Sequence, residues 1–100
     1  MQSRQRQIEV QRTGSGDPLA FAVTVREGKS ETRHQVTVSQ EVYQQLSGGE
    51  HTPENFMHAA FRFLLDREPK ESIMPRFDVT LISRYFPEFR RVIPRYLLRP

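Results

Sequence analysis

Few side chains in this sequence are able to do acid–base or metal chemistry, and their spacing decides what they could do. Glu54 and His58 stand four residues apart, a separation that puts both on one face of a helix, and His51 lies just ahead of them. A zinc ion needs at least a third fixed ligand, and no residue at a characteristic spacing supplies one. The pair therefore reads as a polar patch on a helix, and no metal and no cofactor is expected. His34 falls on the apolar side of a strand in the register derived below, so it reads as a core-edge histidine rather than a general base. Serines occur without a GxSxG elbow, and neither a phosphate loop nor a paired-carboxylate motif is present. The segment SGGE at 47–50 places two glycines ahead of a helix, a layout that suits an anion, but Glu50 and Glu54 flank it and would repel phosphate. Its glycines read instead as a helix cap and a turn. With no catalytic constellation in view, a non-enzymatic domain is the expectation.

What the sequence does concentrate is cationic and aromatic. From residue 72 onward there are six arginines (Arg76, Arg84, Arg90, Arg91, Arg95, Arg99), no lysine, and only Asp78 and Glu88 as acids. Residues 36–71, by contrast, set three basic residues against six acids, so the net charge of +3 is carried by the two ends. Guanidinium is planar and weakly hydrated, which beside Tyr85, Phe86, Phe89 and Tyr96 suits stacking and bidentate contacts. Arg84, Tyr85, Phe89, Arg90, Arg91 and Tyr96 are accordingly the candidates for docking a protein partner. The alternative is a solvated helix face with internal ion pairs.

Those groups need elements to hold them. Residues 7–11 alternate polar and apolar with Ile8 and Val10 on one face, the period of a short edge strand. Residues 13–18 (TGSGDP) are turn formers, and no strand is expected to continue through them. Residues 19–38 predict one β-hairpin. With Gly28 and Lys29 as the central pair of a type II′ turn, Arg26 faces Glu31, Val25 faces Thr32, Val23 faces His34, Phe21 faces Val36 and Leu19 faces Val38. That register gathers the apolar residues on one face and turns Arg33, Gln35 and Thr37 to the other, a segregation that a one-residue slip would destroy.

Ser39 predicts an N-cap for a short helix from residue 40 to about 46, ended by Gly48 and Gly49. Thr52 caps the next helix, Pro53 occupies its first position and Glu54 suits its dipole. Phe56, Met57, Ala60, Phe61, Phe63, Leu64 and Leu65 cover more than one stripe, which predicts a helix buried on two sides or at an interface, with Pro69 as its stop. Beyond it Pro75, Pro87, Pro94 and Pro100 allow only short helices, one over about 79–85 capped by Asp78 and one from Pro87 to about Val92. Residues 1–6 and 95–100 are the candidates for disorder, the latter with a docked tail as the alternative.

Residues 33–67, a strand RHQVTVS, a short helix QEVYQQL, a glycine turn and a longer helix opened by TPE and carrying AAFRFLL, resemble the ribbon-helix-helix family of DNA-binding proteins. The resemblance implies a homodimer in which each protomer gives one strand to a ribbon lying in the major groove of double-stranded DNA. Arg33, Gln35 and Thr37 would then be the base readers, since Arg and Gln bond bidentately to guanine and adenine, and Thr52 would sit near a phosphate.

A chain of 100 residues has room for one core, and the expected class is α+β: a three-stranded antiparallel sheet in β-β-β order, then helices packed on one face and short C-terminal helices. Leu19, Phe21, Val23, Val36, Val38, Phe61 and Leu64 are its expected core. The edge strand and the wide apolar helix both seek cover, which favours a homodimer. The absence of cysteine removes any disulfide framework and fits a reducing, cytoplasmic setting. No apolar run approaches the roughly 18 residues of a membrane span, and the N-terminus lacks the apolar stretch of a signal peptide. Two functions remain in competition. One is a DNA-binding regulator of the ribbon-helix-helix kind; the other is an interaction or accessory domain docking a partner through its Arg and aromatic C-terminal segment, with truncation after Phe86 expected to leave the sheet folded.

Overall fold

The computed structural model describes residues 6–97. Its hairpin joins β2 (Leu19–Glu27) to β3 (Ser30–Val38) in the expected register, from Leu19 opposite Val38 to Arg26 opposite Glu31. Gly28 has φ of 59° while Lys29 does not have positive φ, the combination a type II′ turn needs. The period-2 pattern then does the rest: Leu19, Phe21, Val23, Val25, Val36 and Val38 are all buried on one face.

The sheet differs from expectation at both ends. β1 runs over Arg6–Gly14, so it passes through Thr13 and Gly14, which the turn-forming composition had assigned to a connection. A bulge between Arg12 and Gly14 accommodates the irregular end. At the other side a fourth strand, β4 (Arg76–Asp78), pairs in parallel with β3, Gln35 opposite Arg76 and Thr37 opposite Asp78. The sheet is therefore four-stranded and mixed, in the order β1-β2-β3-β4, rather than three-stranded and antiparallel. Two backbone bonds extend the join, Gln35 N–H to the Pro75 carbonyl at 2.8 Å and Val79 N–H to the Thr37 carbonyl at 2.9 Å. The edge of β3 at residues 35–37, which a two-chain ribbon would use, is covered by this strand.

α1 (Gln40–Ser47) and α2 (Pro53–Leu65) begin where their caps place them: Ser39 accepts from Val42 N–H and Thr52 from Asn55 N–H. Gly48, at φ 70°, closes α1 in the left-handed region. Phe61 of α2 faces the sheet, packing near the His34 ring at 5.4 Å and the Phe77 ring at 6.1 Å. Phe63 faces the opposite way, onto Phe86, Phe89 and Tyr96. Both rings are fully buried, so α2 is enclosed on two sides within one chain.

The cover for its second face is α4 (Phe89–Leu97), which follows the short α3 (Thr80–Tyr85). Pro94 lies inside α4 rather than ending it, and residues 95–97 continue the helix. Pro94 removes one helical bond, but Phe89, Val92, Ile93 and Tyr96 form a stripe at i, i+3, i+4 and i+7 that seats the helix on the core. Arg62 reaches across to donate to the Tyr96 carbonyl at 2.7 Å, satisfying an end-of-helix acceptor. Arg6 belongs to β1, while residues 1–5 and 98–100 lie outside the described residues. All seven residues of the expected core are buried, and no helix among the described residues is long and apolar enough to cross a membrane.

Two histidines couple this packing to pH. Burial pushes the His34 imidazole below its ordinary value, against a smaller opposing effect of its bond to the Met74 carbonyl. Burial and then the Arg62 charge do the same to His58, whose Nδ1 accepts from Arg62 Nε at 3.2 Å. With folded values lowered, the unfolded chain takes up these protons first. Their stabilisation is complete above the ordinary histidine range and is lost as pH falls through it. Urea midpoints measured at about pH 7.5 and about pH 5.5 should differ, with the lower stability in acid, and His58→Gln should shrink the difference. A midpoint independent of pH across that window would contradict the burial of both rings.

Candidate docking surface

The crossover between α2 and β4 builds an apolar groove. After α2 the chain turns through a 3-10 segment (Lys70–Ser72), where the buried Lys70 is paired with Glu71 at 2.6 Å and Glu27 at 3.5 Å. The next stretch is pinned to β3 from both ends. His34 Nδ1–H donates to the Met74 carbonyl at 2.8 Å, its Nε2 accepts from the Thr32 hydroxyl at 2.9 Å, and Gln35 N–H holds Pro75. Asp78 then ties β4 to α3: one carboxylate oxygen accepts from the Thr37 hydroxyl at 2.7 Å, the other from Thr80 N–H at 3.0 Å and the Thr80 hydroxyl at 2.8 Å.

The outcome is a cleft of about 480 Å³ floored by Leu64, Ile73, Phe77 and Ile82, with Tyr85 among its walls. Met74 at 44% exposure and Tyr85 at 65% are the large hydrophobic residues exposed to solvent among the described residues, and both line this one cleft. Glu68, three residues beyond the end of α2, also lines it, and burial pushes its carboxyl up from the ordinary value. Arg84, next to Tyr85, is exposed and makes no hydrogen bond or ion pair among the described residues.

The six residues singled out for partner docking therefore divide. Tyr85 lines the groove, and Arg84 is its exposed neighbour in α3. Arg90 and Arg91 are exposed on α4. Phe89 is a correction: it is fully buried, 4.9 Å from the Phe63 ring, and cannot meet a partner. Tyr96 turns into a different cleft, where its hydroxyl donates to Asp66 at 2.6 Å. Sequence reading missed Ile73, Met74 and Phe77, although a signal was present. Ile73, Phe77 and Val79 alternate at even spacing and point inward as a strand's residues do, but Pro75 and short length hid the pattern.

The expected base readers lie together on the sheet face away from the helices, with Arg33 and Gln35 exposed and Thr37 half-buried. Their surroundings are ion-paired and nearly neutral. Arg26 bridges Glu9 at 2.5 Å and Glu31 at 2.9 Å, and Arg33 joins the same Glu31 at 2.9 Å. Glu31 is held below the ordinary carboxylate range by its bonds from Arg26 and then Arg33, and Arg26 is raised by Glu31 and then Glu9. Thr37 spends its hydroxyl on Asp78, and Thr52 spends its own accepting from Asn55 N–H at 3.0 Å. Glu54 of the expected helix-surface pair is engaged bidentately by Arg12 at 2.7 and 2.8 Å, while His58 bonds to Arg62. No group of three or more potential metal ligands forms among the described residues.

The chain matches no protein-family model, no curated protein and no solved structure. The reading of its function consequently rests on the groove and the charged surfaces themselves.

Proposed function

We propose that this chain is a protein-docking domain whose groove between α2, β4 and α3 takes an apolar side chain from an acidic partner segment. The observation that carries the reading is the convergence of Met74 and Tyr85 on one apolar cleft. Exposed aromatic and Met side chains with an adjacent Arg are the composition of binding hot spots, and Met adapts to varied apolar partners. Arg84 supports an acidic partner because its guanidinium has no acid to satisfy it among the described residues. The hairpin arginines, by contrast, are already paired.

Reading of DNA by Arg33, Gln35 and Thr37 is the competing proposal. A ribbon built from β3 would first have to displace β4 from residues 35–37. The apolar breadth of α2 that favoured a homodimer is taken up by α4.

A photo-crosslinking amino acid placed at position 85 in the cell should give discrete adducts, and the same group at position 29, on the exposed hairpin turn, should not. Capture of the crosslinked partner should fall at least about tenfold in Tyr85→Ala, with the folding stability within about 0.5 kcal/mol of the parent because the side chain is exposed. Equal adducts at both positions, or capture that survives the substitution, would remove the groove reading. Salt-sensitive duplex DNA binding that disappears in Arg33→Ala would favour its competitor.

A further inference from the structure

A second cleft, of about 590 Å³, opens between β1, α2 and α4 and shares no lining residue with the apolar groove. Arg6, Arg62, Arg67 and Arg95 line it with Val92, Tyr96 and one carboxylate, Asp66. The four guanidinium groups come from β1, from α2 and the turn just after it, and from α4, stretches distant in sequence that the fold has assembled. Asp66 is engaged, since the Tyr96 hydroxyl donates to it at 2.6 Å.

Arg6, Arg67 and Arg95 keep donors open among the described residues. Arg67 stacks over the Phe63 ring at 3.7 Å, donates through Nε to Glu88 at 3.0 Å and through Nη1 to the Phe63 carbonyl at 3.2 Å and the Tyr96 hydroxyl at 3.3 Å. Its Nη2 has no partner among the described residues. Arg6 bonds Glu27 through Nε at 3.0 Å, which leaves both of its terminal nitrogens unpaired among those residues. Arg95 has no hydrogen bond or ion pair among them. Arg62 is oriented from below by His58 and the Tyr96 carbonyl.

We propose that this cleft binds the phosphoryl group of a phosphate monoester. Guanidinium forks match phosphate oxygens bidentately, and donors converging from three directions suit a tetrahedral group with three terminal oxygens better than a planar carboxylate. Glu27, Glu88 and Asp66 offset three of the four positive charges, so affinity rests on directed hydrogen bonds from the open donors as well as on net attraction. The volume suits a small organic ligand or one modified side chain, within the range of about 300–1,000 Å³ usual for such pockets.

The test follows the arginine Nε–Hε signals of the isotope-labelled full chain by NMR, at constant ionic strength. Inorganic phosphate, glycerol phosphate, a phosphoserine peptide and acetate are titrated separately. Saturable shifts at Arg6, Arg67 and Arg95 are expected with the phosphates and not with acetate. Arg95→Gln should weaken phosphate binding at least about tenfold, while Arg84→Gln at the other groove should leave it unchanged. Tighter binding of glycerol phosphate points to a small metabolite, and tighter binding of the peptide points to a phosphorylated chain; either supports the site. Acetate shifts equal to those of phosphate, shifts that never saturate, or equal losses in the two variants would overturn it.

Discussion

Replacing Phe63 by alanine should lower the folding free energy by about 3–5 kcal/mol, the cost of an emptied aromatic site in a packed core. The ring is fully buried, lies 4.9 Å from Phe89, 5.8 Å from Tyr96 and 5.9 Å from Phe86, and carries the Arg67 guanidinium on its face. Removing it leaves a void between α2 and α4 that neither helix can close without giving up other contacts. For a domain of this size the melting temperature should fall on the order of 20 °C, which scanning calorimetry would read directly. Phe63→Leu, which refills part of the volume, should lose less. A loss below about 1 kcal/mol for the alanine variant, the level of an ordinary substitution, would mean that α4 does not pack on α2.

Cutting the chain after Phe86 should abolish cooperative unfolding altogether. The sequence suggested that such a cut would spare the sheet, because the C-terminal segment read as a partner-binding appendage. Instead it removes Phe89 and Ile93, both fully buried, and uncovers the second apolar face of α2. Burial of each large apolar side chain contributes about 1.5–3 kcal/mol. Together with the exposed face of Phe63 this approaches the whole stability of about 5–15 kcal/mol available to a small domain. The Arg67–Glu88 ion pair and the Arg62 bond to the Tyr96 carbonyl are lost as well. The truncated chain should melt broadly and bind hydrophobic dyes. A sharp transition near that of the full chain would make α4 an appendage after all, and would restore truncation as a probe of docking.

The parts of this fold that were legible in the sequence are those fixed by neighbours in the chain. The β2–β3 register depends on one turn and an alternation that starts at it, and both point to the same pairing. The start of α2 needs only Thr52, Pro53 and Glu54. β4 was hidden because its partner lies about 40 residues earlier and its three residues hold no periodic signal of their own. α4 was misjudged because local reasoning assigns Pro94 its penalty without knowing that Phe89 and Ile93 have a docking surface on α2. The candidate site followed the same division. Arg84 and Tyr85 could be named from residue type, whereas the cleft that Tyr85 lines is made by α2, β4 and α3 together and exists only after the crossover closes. Phe89 resembled them in composition and differs only in which way the helix turns it.

The parallel attachment of β4 also sets an order of assembly. β1, β2 and β3 meet their neighbours through short connections, so the meander can form early, whereas β4 reaches β3 only after α1 and α2 have been placed between them. Three residues of pairing, two flanking backbone bonds, the Thr37 hydroxyl bond to Asp78 and the His34 clasp on Met74 are its hold on that edge. Such a segment can detach while the meander stays intact, as small cooperative units do. Hydrogen exchange would register this as faster loss of protection at Gln35 and Val79, whose amides face the join, than at Val23 in the middle of β2. Each detachment would dissolve the groove and, for its lifetime, bare the edge of β3 to any strand within reach.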